Sequence, residues 1–309
     1  MTTAQRPSRT RLSPLARITR WRRRGGLSAL ALAVPTLLVF GYFSWKPLLQ
    51  GLMMSFQRWN FVADPTWVGL DNFSYVLADP LLGTAVLNTL WFTALAILFG
   101  FPLPVMLAVA VSTLRGRARR VASFLAYLPV IVPPVVAILL WKVFYDPSAS
   151  GLLNSLFGLV GLGPFQWLNS AASAMPSIVL EATWAGAGTA TLIYLAAITG
   201  VRPELYEAAE LDGAGILSRI RHVTLPALRT ILLIMLLLQL IGAAQVFAEP
   251  FLFTGGGPQN ATVTVLVLLY RYAFTAGDYG AATALGVLLA LVLAGLSAIY
   301  LALTRKWND

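Results

Sequence analysis

Six stretches of the chain are apolar over about the length that crosses a bilayer. They cover residues 27–45, 84–111, 121–144, 176–200, 225–248 and 281–303. A hydrocarbon core about 30 Å thick requires about 20 residues of helix. The pattern therefore predicts an all-α integral membrane protein with six transmembrane helices. Pro35, Pro102, Pro104, Pro129, Pro133 and Pro134 fall inside these runs and predict bends. Such bends are tolerated where neighbouring helices or a cavity satisfy the freed carbonyls, and simple curvature explains them equally well. Between runs four and five, residues 202–226 are polar, short and helical in pattern, with a break at Gly213. Glu204, Glu207 and Glu210 recur every three residues and share one helix face. Ala208 and Ala209 add little bulk, so another surface can approach closely. Gly213 can end the first helix, and Pro226 can open the next because its missing N–H falls in the unpaired first turn. From these residues alone, the segment is either an amphipathic linker on the headgroups or an element presented to a cytoplasmic partner.

Composition agrees with the membrane reading. Of 309 residues, 58% are hydrophobic and 11% charged, with a mean hydropathy of +0.76. Soluble domains carry about 25% charged residues. A net charge of +10 and a pI near 10.3 suggest nucleic acid at first sight. The placement of the basic residues excludes that partner, because they flank the apolar runs.

Eighteen Lys and Arg residues lie on one side of the predicted spans. They run from Arg6 to Arg24, from Arg115 to Arg120, from Arg202 to Arg229, and at Arg305 and Lys306. Lys46, Arg58, Lys142 and Arg271 lie on the other side. Positive charge marks the cytoplasmic side. Both termini and the 202–226 segment are therefore expected to be cytoplasmic. Residues 1–26 read as an Arg-rich cytoplasmic segment, and residues 27–309 as the membrane domain. A span follows the arginines directly, which fits a topogenic flank better than a transit peptide. The chain contains no Cys, and His222 is its only histidine. Disulfides, thiolate catalysis and multi-histidine metal sites are excluded.

Ionisable groups at membrane depth are costly and default to function. Glu181 lies in the fourth run and Glu249 at the outer end of the fifth. Gln239, Gly242, Gln245 and Glu249 are spaced three, three and four apart, predicting one stripe on the fifth helix. Glu181, Trp184, Gly188 and Thr191 form a similar stripe on the fourth, with Gly186 and Thr189 beside it. Asn88 and Trp91 share a face on the second. Amides, carboxylates and aromatic faces are the groups that bind carbohydrate. The same stripes serve helix packing, where small residues permit approach and amides cross-link, and Glu249 also fits an interfacial position. The candidate path residues are Glu181, Trp184, Gly186, Thr189, Gln239, Gln245 and Glu249, with Gly186 and Thr189 leaving room for a sugar ring. No catalytic constellation is present. The Gly255-Gly256-Gly257 run lacks the Gly-Lys-Ser/Thr ending of a phosphate loop and lies on the wrong side of the membrane.

Glu207-Ala208-Ala209, three residues, Gly213, nine residues, Val223, one residue, then Leu225-Pro226 resembles the EAA loop of binding-protein-dependent ABC importer permeases. Val223 replaces the usual Ile and keeps its β-branch. Asp212-Gly213-Ala214, and Arg202 through Tyr206 before it, are similar to the carbohydrate-type subfamily. So are Gly69-Leu70-Asp71-Asn72-Phe73, the loop from Thr254 to Thr262, and Leu128 through Pro134 with Trp141. The resemblance runs from about Leu27 onward and implies the maltose-type, type I fold. It makes residues 202–226 a cytoplasmic coupling helix between spans four and five, with Glu207, Ala208, Ala209, Asp212, Gly213, Leu225 and Pro226 contacting the ATPase. It implies a non-enzymatic permease subunit paired with a second, related permease. Separate ATPase subunits would hold ATP and Mg, so this chain binds no cofactor. An extracytoplasmic solute-binding protein would deliver a sugar to a path flanking the EAA loop. The alternatives are a stand-alone secondary transporter, which needs an intramembrane proton or sodium site and often internal repeats, and a membrane enzyme acting on lipid-linked sugars.

Overall fold

The computed structural model describes residues 27–305. They fall into two units that meet in sequence between Met54 and Ser55. The described part of the first unit is one helical rod: α1 (Leu27–Phe40), a π turn at Gly41–Trp45, and α2 (Lys46–Met54). It runs nine residues beyond the expected end at Trp45. Leu48, Leu49, Gln50, Leu52 and Met53 are good helix formers, and none of them stops it. Its large apolar side chains are exposed, as a bilayer-facing helix requires.

The second unit opens with a two-strand hairpin. Strand β1 (Gln57–Arg58) pairs antiparallel with β2 (Thr66–Trp67), Gln57 opposite Trp67. Helix α3 (Asp71–Ala78) follows. Asn72 donates from Nδ2 to the Ser55 and Gln57 carbonyls, both at 2.9 Å, and so ties α3 to the hairpin. Helix α4 (Pro80–Leu95) begins where Asp79 accepts from the Leu81 N–H at 2.8 Å. A π turn at Ala96–Gly100 joins it to α5 (Pro102–Thr113), giving one 34-residue span.

The third expected span is broken. Helices α6 (Gly116–Ile131) and α7 (Pro134–Phe144) meet at 98°. Pro133 and Pro134 in sequence remove two helical donors and force Val132 out of helical geometry. Helix α8 (Ala171–Thr199) is continuous, capped by Ser170, whose hydroxyl accepts from the Ala172 N–H. The expected fifth span is shorter than its apolar run. Helix α10 covers Arg229–Ala244 and meets the preceding Ile216–Ala227 segment at 72°. Before it lies α9 (Pro203–Leu211), and after it α11 (Ala248–Thr254) and α12 (Val265–Tyr270). Helix α13 (Tyr279–Arg305) is the last span. Among the described residues, four helices are long and apolar enough to cross a membrane, or six when each bent pair counts as one. The six match the six apolar runs.

Among the described residues, three of the four π turns share a sequence cause. The turns Gly41–Trp45, Ala96–Gly100 and Ile220–Thr224 each end two residues before a proline, at Pro47, Pro102 and Pro226. A proline ring clashes with the carbonyl four residues back. Here that carbonyl belongs to Phe43, Leu98 or His222, each inside the widened turn. The π geometry lets the helix pass the proline without a break.

Helix α8 is the backbone of the second unit. Its first half packs in a core with Phe92, Ile138, Tyr145 and Val246. Its second half packs Tyr194 and Ile198 against Ala108, Val111 and Leu228. At Gly188 it touches α6: a Cβ there would stand 2.6 Å from Val130 Cγ2 and 2.8 Å from the Ala126 carbonyl. A third core joins α12 to the start of α13, with Val263, Leu268, Tyr272 and Leu285.

Candidate substrate cavity and coupling hairpin

A cavity of about 530 Å³ opens between the second, fourth and fifth spans. Helix α8 contributes Ala182, Thr183, Gly186 and Ala190; α10 and its extension contribute Gln239, Gly242, Gln245 and Glu249. The second span contributes Phe92, Ala96 and Gly100. Gly100 matters because a Cβ there would lie 3.0 Å from Gln239 Nε2 and 3.3 Å from Thr183 Oγ1. Its bare backbone lets these two polar groups share the cavity wall. Gln239 also bridges spans, donating from Nε2 to the Ala96 carbonyl at 2.7 Å. Ala96 opens the π turn there, and such a turn disturbs the regular helical pairing.

The four-residue stripe on the fifth span reaches the cavity by a different route from the one its spacing predicts. Helix α10 ends at Ala244, Gln245 leaves helical geometry, and Glu249 belongs to α11. Two short helices meeting at a break bring the four residues together, not one continuous face. Gln245 donates from Nε2 to the Ile241 carbonyl at 3.1 Å, which satisfies a group freed by the helix end.

On α8 the cavity face differs from the expected one. Glu181 is 1% exposed and sits in the α8 packing face, with no hydrogen-bond partner for Oε2 among the described residues. Thr191 is equally buried and donates back to the Ala187 carbonyl. Trp184 turns away to meet Trp141 at 5.7 Å, under the α6–α7 bend and beside Pro129. Thr189 is exposed and does not line the cavity. The expectation that Glu181, Trp184 and Thr189 line a cavity with Gln239 and Gln245 is thus corrected: only Gly186 of the α8 candidates does so. The missed lining has a sequence signal. Ala182, Gly186 and Ala190 are small residues four apart, one face of a helix. Asn88 lies outside the cavity and holds an outer loop, donating to the Asn260 and Val263 carbonyls at 2.8 and 3.0 Å. Trp91 is half-exposed.

The 202–226 segment folds as a helical hairpin at the far end of α8. Helix α9 starts with Pro203 in its first turn and stops at Gly213, φ +78°. The Gly213 N–H bonds the Glu210 carbonyl at 3.0 Å, and the Ala214 N–H bonds the Ala209 carbonyl at 2.9 Å. These two bonds form a Schellman motif, whose left-handed position favours glycine. The return arm holds Ile216–Arg219, the π turn, and Pro226 in the turn Leu225–Ala227. Arg219 pairs with Glu210 at 3.4 Å, and the Tyr206 and Thr224 hydroxyls meet at 3.1 Å, closing the arms on each other. Glu207, Ala208 and Asp212 are exposed, and Ala209 is half-buried. Leu211 and Leu217 at the hairpin tip are 90% and 84% exposed. Behind the hairpin a groove of about 660 Å³ is lined by Arg115, Arg119, Glu207, Glu210 and Arg219. Glu207 therefore borders basic residues of this chain, in addition to facing outward. Among the described residues, no group of three or more His, Cys, Asp or Glu side chains is placed to hold a metal.

Comparison with known proteins identifies the scaffold. The family described as binding-protein-dependent transport system inner membrane component matches residues 100–309. The diacetylchitobiose uptake system permease protein of Streptomyces coelicolor is 35% identical, covering 89% of this chain and 81% of its own length. The arabinooligosaccharides transport system permease protein of Halalkalibacterium halodurans is 32% identical, covering 89% and 86%. A crystallised bacterial ABC transporter that imports the acidic polysaccharide alginate superposes with a TM-score of 0.84 at 28% identity, covering 95% of this chain and all of the matched one. The same transporter type with a bound periplasmic protein gives a TM-score of 0.82 at 27% identity, covering 94% and 98%. The secondary-transporter and lipid-enzyme alternatives do not fit these matches. The chain belongs to the binding-protein-dependent inner-membrane components, as a sugar permease of an ABC importer with the type I fold.

Proposed function

We propose that this chain forms half of an ATP-driven sugar pathway and that the 202–226 hairpin couples it to separate ATPase subunits. The observation that carries this reading is the placement of hairpin and cavity on one rigid helix. Gly186 borders the cavity and Thr199 borders the groove behind the hairpin. Thirteen residues of helix separate them, about 20 Å at 1.5 Å per residue. A push on the hairpin is thereby transmitted to the cavity wall. The exposed Leu211 and Leu217 give a docking ATPase an apolar contact, and Glu207 and Asp212 give it charge.

A second, related permease completes the cavity, and a solute-binding protein loads it from outside. The alginate importer with its bound periplasmic protein supports that partner. ATP and Mg reside on the ATPase, and this chain binds no cofactor. Both termini and the hairpin lie in the cytoplasm, on the asymmetry of Lys and Arg. Residues 27–309 act as the membrane domain and residues 1–26 as a basic cytoplasmic flank.

Reconstituted with its partner permease, ATPase and binding protein, the chain should take up sugar only while ATP is hydrolysed. Uptake that continues with a hydrolysis-dead ATPase would overturn the proposal. A reporter fused after Asp309 should be active in the cytoplasm, and periplasmic activity would reverse the topology.

A further inference from the structure

The side chains around the cavity share a chemical bias. Gln239 and Gln245 each turn their amide nitrogen to a backbone carbonyl, of Ala96 at 2.7 Å and Ile241 at 3.1 Å. A carbonyl only accepts, so these contacts fix both amide orientations and use one N–H of each amide, leaving each side-chain oxygen as an acceptor beside one remaining N–H. Glu249 adds a carboxylate, which only accepts when ionised. Lys, Arg and His are absent from the cavity lining among the described residues. Glu181, a second acidic residue, is buried beside the cavity-lining Ala182.

We propose that this half of the pathway admits uncharged, hydroxyl-rich glycans and excludes uronates. The inference rests on reading the cavity as the sugar path. A neutral sugar brings hydroxyls that both donate and accept, and they match the amide groups and the Glu249 carboxylate of this wall alike. A uronate brings an acceptor-only carboxylate to the same wall. It then meets Glu249 as a like charge in a site that membrane helices shield from water, where Coulomb repulsion is stronger than in solution. The cavity lining offers no basic group to compensate among the described residues; Lys142, which donates to the Leu252 carbonyl on the helix that carries Glu249, lies outside it. The acidic polysaccharide carried by the crystallised relative would need another arrangement here.

The test uses the assembled complex of both permeases and the ATPases in nanodiscs, without binding protein, so that only the pathway selects. Maltotriose, mannotriose and galactotriose, and the triuronates of the same hexoses, are titrated by saturation-transfer NMR. Gly186→Trp and Gly242→Trp are the cavity-filling controls, since both glycines line the cavity and have open space where a Cβ would sit. At least one neutral trisaccharide should bind about tenfold or more tighter than its triuronate, as one like-charge contact requires. The tryptophan variants should abolish that signal, and Glu249→Gln should narrow the ratio by several-fold. A triuronate that binds as tightly as its neutral counterpart, with loss of binding in the tryptophan variants, overturns the substrate class and leaves the sugar-path reading intact. An unchanged ratio in Glu249→Gln also overturns the inference. If neither sugar type gives a tryptophan-sensitive signal, while binding protein still stimulates ATP hydrolysis, the cavity is not the sugar path and both readings fall.

Discussion

The hairpin and the cavity lie on the same helix yet are built in opposite ways. The hairpin is local. Its cap, ion pair and hydroxyl contact all join residues between Tyr206 and Thr224. The cavity draws Phe92, Gly186 and Glu249 from three distant parts of the chain, and its walls depend on interruptions: a π turn, a helix end and a break before α11. A contact surface for another protein can be written in one contiguous segment. A path for a small solute needs helices that stop being regular at depth, where neighbours satisfy the freed groups.

The sharpest way to break this contrast is at the hairpin. Gly213→Asp strains the backbone at φ +78° by about 1–2 kcal/mol, but no atom lies within 4 Å of the added Cβ and Asp visits left-handed geometry more readily than most residues, so the fold is retained. It places a charge on the proposed ATPase contact. Uptake should fall about 100-fold or more, as expected from a mismatched charge in an interface, with membrane insertion unchanged. Normal sugar-stimulated hydrolysis in the assembled variant would remove the hairpin from coupling.

Gln245→Ala tests the cavity. One lost hydrogen bond costs about 0.5–1.5 kcal/mol, so the sugar concentration for half-maximal uptake should rise by up to about tenfold. Gln239→Ala should add a loss of thermal stability, because it also removes the bridge to Ala96. Equal stability of the two variants would show that the bridge is dispensable.

Trp184→Ala sharpens the boundary of the cavity. The Trp141–Trp184 pair is worth about 0.5–1.5 kcal/mol beyond the area it buries. The variant should melt a few degrees lower while its half-maximal sugar concentration stays constant. A shift in that concentration would place Trp184 in the path after all. The smallest effect belongs to Thr189→Val, which should leave uptake within about twofold because an exposed site away from packed or paired groups contributes little. A larger defect there would extend the sugar path beyond the present cavity.

Much of the scaffold was legible in the sequence. Apolar length located the six spans, and the Gly213 and Pro226 positions located the hairpin arms, because caps and spans depend on residues near one another in the chain. The 98° turn at Pro133 was legible as a bend but not in size, which depends on how α7 packs. The cavity face of α8 was misjudged for a physical reason. A helix surrounded by lipid and other helices is apolar on all sides, so its few polar residues do not mark one face. Glu181 and Thr191 drew attention as polar groups at depth, and both are buried in packing. The small residues Ala182, Gly186 and Ala190 form the wall instead. Gln239 and Gln245 reach the cavity although the helix carrying Gln239 ends at Ala244, a break their spacing could not announce.

The proline-linked π turns bear on how related sequences should be aligned. A π turn accommodates an added residue in a helix, and each residue of α-helix turns the chain by about 100°. A relative that lacks Pro102 is free to drop one residue between Ala96 and Gly100. Every position on the preceding side would then be matched to a neighbour on a different face. A gap-free alignment through this segment would compare Phe92, which lines the cavity, with a residue that lines nothing. Inference of sugar preference across the family should therefore allow a one-residue gap ahead of Pro102, and another ahead of Pro226, before any cavity position is scored.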